Sequence, residues 1–240
     1  MDRSPTFLVV VNRCASDPTV LTKALRLARQ FGARLELFLC DAEHAYALQH
    51  AYDRTGLEDA RKACMVAAME YLTHVKSAAQ CDGVAISVDV ACESPLYEGI
   101  VHKARKSGPV LVLKHAGSPD PFDRAAFDAN DWQLMRTCPA TLLLTRGRRW
   151  RPRPRFAAAV DASEQETEGL ARQILKDAQA LARANDGELE LLYAERGHIG
   201  SAESRTREIV LEGLTREVNI AGGQVHILAG DPEAALPARN

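Results

Sequence analysis

Two short polar segments stand where a parallel α/β sheet would present them to a ligand. Asn12-Arg13 directly follows the apolar run Phe7 to Val11, and Lys114-His115-Ala116-Gly117 directly follows Val110 to Leu113. Runs of this kind are the signature of strands buried on both faces. Open α/β sheets bind ligands beyond the carboxyl ends of their strands, where the strand order reverses. An amide, an ammonium and an imidazole placed there could meet an anion, so Asn12, Lys114 and His115 are the candidate ligand-binding residues. Val160 and Asp161, at the end of a second such run, form a weaker candidate. A phosphate cradle would need closely spaced glycines, so that backbone N–H groups could face the anion. The loop instead reads Gly117-Ser118-Pro119-Asp120-Pro121-Phe122-Asp123-Arg124. Its prolines remove donors and its aspartates add negative charge.

Other chemistries find no residues to carry them. There is no G-x-S-x-G, Walker A, G-x-G-x-x-G or H-E-x-x-H sequence, so no catalytic residue is assigned and an enzyme is not expected. The seven histidines lie apart, and none stands at ligand spacing from a cysteine, so no metal site is expected either. His44 and His50 with Tyr46 and Tyr52 make the densest polar-aromatic cluster, read as a loop or short helix over the sheet edge rather than a lid. The six cysteines include no Cys-x-x-Cys pair. They read as free thiols in a reducing compartment, which makes the cytoplasm the expected location. Six arginines between Arg146 and Arg155, with Trp150, could touch nucleic acid. On a Pro-punctuated connector they read instead as a solvated, self-repelling linker, and nucleic acid is not the expected partner.

The elements that must position these residues alternate. Strands are predicted at Phe7 to Val11, Leu35 to Cys40, Val84 to Val90, Val110 to Leu113 and Thr141 to Thr145. Helices are predicted from Asp17-Pro18, over Leu57 to Ala79, from Ser94-Pro95 to Lys106, and near Asp131 to Arg136, the last anchored by Trp132, Leu134 and Met135. This order predicts an open, mainly parallel α/β sheet. The chain then repeats itself. Leu27-Ala28-Arg29 and Leu35-Glu36-Leu37 recur at one common spacing as Leu181-Ala182-Arg183 and Leu189-Glu190-Leu191, and Phe7 is echoed by Phe156. The second copy is predicted to run through strands at Phe156 to Val160, Leu189 to Tyr193 and Gln224 to Leu228, with helices over Glu164 to Asn185 and about Ala202 to Ala221. The expected domains are 1–146, an Arg/Pro linker at 147–155, and 156–240, the second lacking its last strands. Charged residues at 26% and a net charge of −2 describe an ordinary globular surface with no field for nucleic acid or membranes. No apolar run reaches bilayer length, and no membrane is expected.

Several segments carry a likeness: Phe7-Leu8-Val9-Val10-Val11-Asn12 and its echo Ala159-Val160-Asp161-Ala162-Ser163, the turns Glu93-Ser94-Pro95 and Gly230-Asp231-Pro232, and above all Asp131-Trp132-Gln133-Leu134-Met135-Arg136-Thr137-Cys138-Pro139 feeding Thr141 to Leu144. In these the chain resembles the universal stress protein family, specifically its tandem-domain E subgroup. The resemblance implies two Rossmann-like (adenine nucleotide alpha hydrolase-like) open parallel sheets in tandem, the second incomplete, in a cytoplasmic stress-response protein. ATP-binding members carry an Asp after strand one and G-x2-G-x9-G-[ST] after strand four. Copy one has Asn12 in place of that Asp and no glycine motif between Lys114 and Asp131. Copy two has Asp161 but ends before its glycine loop would occur. No cofactor is therefore expected, and ATP binding or weak ATP hydrolysis stands as the alternative to non-catalytic small-ligand sensing or protein interaction. Family members pair their last strands across a dimer-like interface, which in tandem members lies within one chain. Here Thr141 to Thr145 is expected to pair with the same strand of a second chain in a homodimer, or the second copy to pack its open face against the first.

Overall fold

The computed structural model describes residues 4–13, 19–52, 55–79, 83–117, 127–161, 169–195, 209–216 and 224–235. The chain divides into two compact units, 1–149 and 150–240. In the first, strands β1 (Thr6–Val10), β2 (Arg34–Cys40), β3 (Ile86–Ala91), β4 (Leu111–His115) and β5 (Thr141–Thr145) form one sheet in the order β3-β2-β1-β4-β5. Every pairing in it is parallel. The strand at 84–90 anticipated from sequence runs instead from Ile86 to Ala91, because its pairing with β2 begins at Leu35 opposite Ile86. The start of the first helix at Asp17-Pro18 lies outside the described residues.

The central strands β1, β2 and β4 alternate their side chains between two buried faces. Leu8, Val10, Phe38, Cys40 and Val112 point to one face and pack with Ile100, Val101 and Ala104 of α4 (Leu96–Ser107) and Leu134 of α5 (Ala129–Thr137). Helix α1 (Thr19–Phe31) lies along β1, β2 and β4, burying Val20, Ala24, Leu27 and Ala28 at the spacing of one helical stripe. Its Lys23 is buried too, and its Nζ donates to the Arg146 carbonyl at 2.8 Å. Helix α2 (Ala42–Gln49) gives the His/Tyr segment a regular form. Asp41 caps it by accepting from the His44 N–H, and Tyr46 stacks on His50. Helix α3 (Leu57–Ala78) covers β2 and β3 but buries only Ala68 and Leu72.

One sequence-based expectation about α5 is corrected. Trp132 and Met135 are 51% and 43% exposed, and the buried face of that helix is Asp131 with Leu134. Three residues apart, these two share a face that Trp132 and Met135 do not.

The second unit repeats the pattern as β6 (Arg155–Ala159), α6 (Leu170–Ala184), β7 (Glu188–Glu195), helical residues 209–216 (α7), β8 (Val225–Ala229) and α8 (Pro232–Ala235). Its described strands pair in the order β6-β7-β8, all parallel. The repeat holds at the level of register: Phe7 pairs with Leu35 in the first unit, and Phe156 with Leu189 in the second. Ala158, Leu189, Leu191 and Tyr193 meet Ala171, Leu175 and Ala182 of α6 in its core. The helix expected over 164–185 is described from Leu170, and that over 202–221 at 209–216. Their remaining residues lie outside the described ones.

Candidate functional site, a cleft where the strand order reverses

In the first sheet the chain runs outward from β1 in both directions, to β2 and β3 on one side and to β4 and β5 on the other. The loops leaving β1 and β4 therefore diverge, and a cleft of about 250 Å³ opens between them. Three segments line it: Val10 to Arg13 from the end of β1 onward, Leu39 to His44 from the end of β2 onward, and Lys114, His115 and Gly117 at the end of β4 and just beyond it, with Leu96 and Asp128 closing the sides. The structure thus brings Asn12, Lys114 and His115 to one place. Asn12 is exposed, His115 half-buried and Lys114 buried.

The charge of Lys114 is already committed. Its Nζ lies 2.7 Å from Asp131 Oδ1 and 2.9 Å from the His115 carbonyl, with side-chain exposures of 8% for the lysine and 0% for the aspartate. The other oxygen of Asp131 accepts the Gly117 N–H at 2.8 Å. Asp131 is held in turn by its own N–H, which donates to Asp128 Oδ1 at 2.7 Å where Asp128 caps α5. A Cβ added to Gly117 would run into the Asp128 carboxylate, so the loop needs glycine for this close approach. The ammonium and the backbone donor that could face an anion after β4 thus face a carboxylate of the protein itself. The open wall of the cleft carries Asp41, Glu43 and Asp128 against Arg13.

On the β2 side, Asp41 gathers several partners. Its Oδ1 is 2.9 Å from His44 Nδ1, and its Oδ2 is 3.1 Å from Cys64 Sγ on α3 and 3.8 Å from Arg13 Nη1. Burial alone would raise this carboxyl. The hydrogen bonds from Cys64 and His44 outweigh it and hold Asp41 below its usual value. Burial, reinforced by the Asp41 carboxylate, pushes the Cys64 thiol up to about 12. Burial likewise lifts Cys40 to about 11 and raises Cys92, which Cys64 adjoins. This grouping is not legible in the amino-acid order, because Cys64 is distant in the chain and only the fold of α3 over β2 brings it in. Asp41-x-x-His44 across a helix start was the one local signal.

The second unit presents its candidates differently. Val160 is buried in the core, where its N–H donates to the Leu192 carbonyl at 3.0 Å; Asp161 beside it is exposed. The equivalent bond in the first unit runs from the Val11 N–H to the Phe38 carbonyl at 2.8 Å. Val160 therefore positions the chain for Asp161, as Val11 does for Asn12. The connector arginines meet protein groups: Arg146 lies over the Phe127 ring, Arg153 pairs with Asp186 and Arg155 with Glu190.

Fold and cleft define an open, parallel α/β protein of the Rossmann-like class whose crevice is lined by its own carboxylates. Relatives agree with that class. The chain is 22% identical to universal stress protein E of Escherichia coli K12 over an alignment 255 positions long, covering 96% of this chain and 78% of that one. It is 24% identical to universal stress protein E of Photorhabdus laumondii over 184, covering 73% and 56%. A solved structure described as a putative universal stress protein from Pseudomonas aeruginosa superimposes with a TM-score of 0.75 at 20% identity, covering 98% of this chain and 77% of that one. A universal stress protein from Archaeoglobus fulgidus gives 0.68 at 12% identity, covering 96% and 80%. No protein-family model matches the chain. Sequence likeness to universal stress protein E runs along nearly all of the chain, and its fold is the one shared by these solved structures.

Proposed function

We propose that the chain is a cytoplasmic, non-catalytic stress-response protein that binds a small ligand in the cleft of its first unit. Asn12 and His115 make the polar contacts, and Lys114 shapes the floor. The observation that carries this reading is the Lys114–Asp131–Gly117 arrangement. A triphosphate would have to displace a fully buried carboxylate from its ion pair and bring its own charge beside Asp41, Glu43 and Asp128. Like charges at such distances repel strongly in a partly desolvated crevice. A ligand without a polyphosphate tail meets no such obstacle. Among the described residues that line the cleft, the one thiol, Cys40, is held neutral by burial.

Equilibrium dialysis of the full chain with labelled ATP, alongside adenosine, separates the readings. Absence of stoichiometric ATP binding at micromolar concentration is the expected outcome. Stoichiometric ATP binding there, lost on changing Asn12 or Asp161, would replace this proposal with a nucleotide-binding one.

A further inference from the structure

Among the described residues, Asp41, His44 and Cys64 are the group whose potential metal-ligating atoms converge, all within 4.8 Å of one another. They come from three places in the fold: the end of β2, the first turn of α2, and the second turn of α3. The donors are one carboxylate oxygen, one imidazole nitrogen and one sulfur. That mixture is not what a solvated surface cluster offers, since exposed groups that gather by chance are mostly carboxylates. It matches zinc, which takes Cys sulfur, His nitrogen and Asp oxygen at roughly 2.0–2.3 Å in tetrahedral sites. Ligand atoms around one such ion stand about 3.3–3.8 Å apart, and this group, within 4.8 Å, needs only small side-chain movements to reach that spacing.

We propose that Asp41, His44 and Cys64 form a binding site for a borderline-soft divalent cation, with Zn2+ the natural occupant. The two oxygens of Asp41 divide the work. Oδ1 already accepts the His44 backbone N–H at the helix cap, which fixes the carboxylate, while Oδ2 faces Cys64. The imidazole is fixed by the same turn. Cys64 enters as thiolate: its S–H bond breaks, the proton leaves to solvent, and a Zn–S bond forms, with no change in oxidation state. The dication is then balanced by the thiolate and the Asp41 carboxylate. Arg13, 3.8 Å from Oδ2, supplies the positive charge when the ion is absent and must give way when it binds. Three protein ligands leave a fourth position for water or an incoming group. Asp41 and His44 also line the cleft, so an occupied site would change its charge beside Asn12. The metal site does not depend on which small molecule the cleft takes.

Titration of the metal-free full chain with Zn2+ by calorimetry, and with Co2+ by absorption, tests the proposal. Expected are one equivalent bound, proton release, and a thiolate-to-cobalt charge-transfer band. His44→Ala, at an exposed side chain that the core does not need, should weaken Zn2+ at least about tenfold, the usual scale for losing a metal-site interaction. Cys64→Ser should abolish the charge-transfer band while far-ultraviolet circular dichroism stays native, and Cys138→Ser should change neither. The proposal is overturned if no stoichiometric binding occurs, or if His44→Ala and Cys64→Ser bind as the parent does.

Discussion

Lys114 and Asp131 show how a single pair decides what a site can do. Each is charged and almost wholly removed from water, and burying either alone would cost several kcal/mol. Together, with the His115 carbonyl accepting from the lysine and the Gly117 N–H donating to the aspartate, they are tolerated. Breaking such a pair from one side leaves an uncompensated buried charge. Asp131→Asn should therefore lower stability by about 3–5 kcal/mol, read as a shift of the urea midpoint. Replacing both partners, as Lys114→Met with Asp131→Leu, should cost clearly less than the sum of the single changes. Additive losses would mean that the pair contributes no coupling, and the account of a closed anion site would fail with it. Sequence could not show this residue pair. Asp131 stands in the first turn of a helix, where an acidic residue is ordinarily a solvated partner of the helix dipole, and the lysine that buries it is on another element.

At the scale of elements, the alternation of apolar runs with helical stripes made the sheet legible, because parallel strands buried on both faces read as near-continuous apolar runs. What stayed hidden is how helices are fastened to it. Helix α4 docks through Lys103, whose Nζ is 2.6 Å from both Glu36 on β2 and Asp89 on β3. Gly99 of the same helix lies so close to Cys40 that an added Cβ would sit 2.5 Å from its sulfur, while Cys40 Sγ donates to the Glu93 carbonyl at 3.3 Å. None of these contacts has a signature in spacing, since each joins residues far apart in the chain. The burial of these side chains, and of Cys64, has a pH signature. Burial would lower Lys103, but its bonds to Asp89 and Glu36 outweigh that and raise it above 10.5. Cys40 rises from 9.0 to about 11 and Cys64 from 9.0 to about 12. A folded value raised above the unfolded one contributes stability that is full below the unfolded value and is lost as pH climbs through the folded one. The urea midpoint should thus fall between pH 9 and 11, and Cys40→Ala with Cys64→Ser should flatten that fall. A midpoint that holds or rises over the same interval would contradict this.

For the molecule as a whole, the open question is what meets the edge of the first sheet. Among the described residues, β5 pairs only with β4, which leaves its far side without a strand partner. The strand reads Thr-Leu-Leu-Leu-Thr, with Leu142, Leu143 and Leu144 half-buried. It carries no charge, proline or bulge residue of the kind that protects an exposed edge. A short apolar edge of that composition is a template for another strand, and a second copy of the chain supplies the same strand by symmetry, since a two-fold axis brings a patch against itself. We expect a homodimer built on Thr141 to Thr145, seen as a concentration-dependent mass in sedimentation equilibrium. Leu143→Lys places a charge on each copy of the contact, where like charges opposite one another destabilise pairing, and should shift the protein to monomer while its circular dichroism stays native. A monodisperse monomer at all concentrations, with the β5 amides exchanging freely, would refute pairing through this strand. A dimer indifferent to Leu143→Lys would place the contact elsewhere.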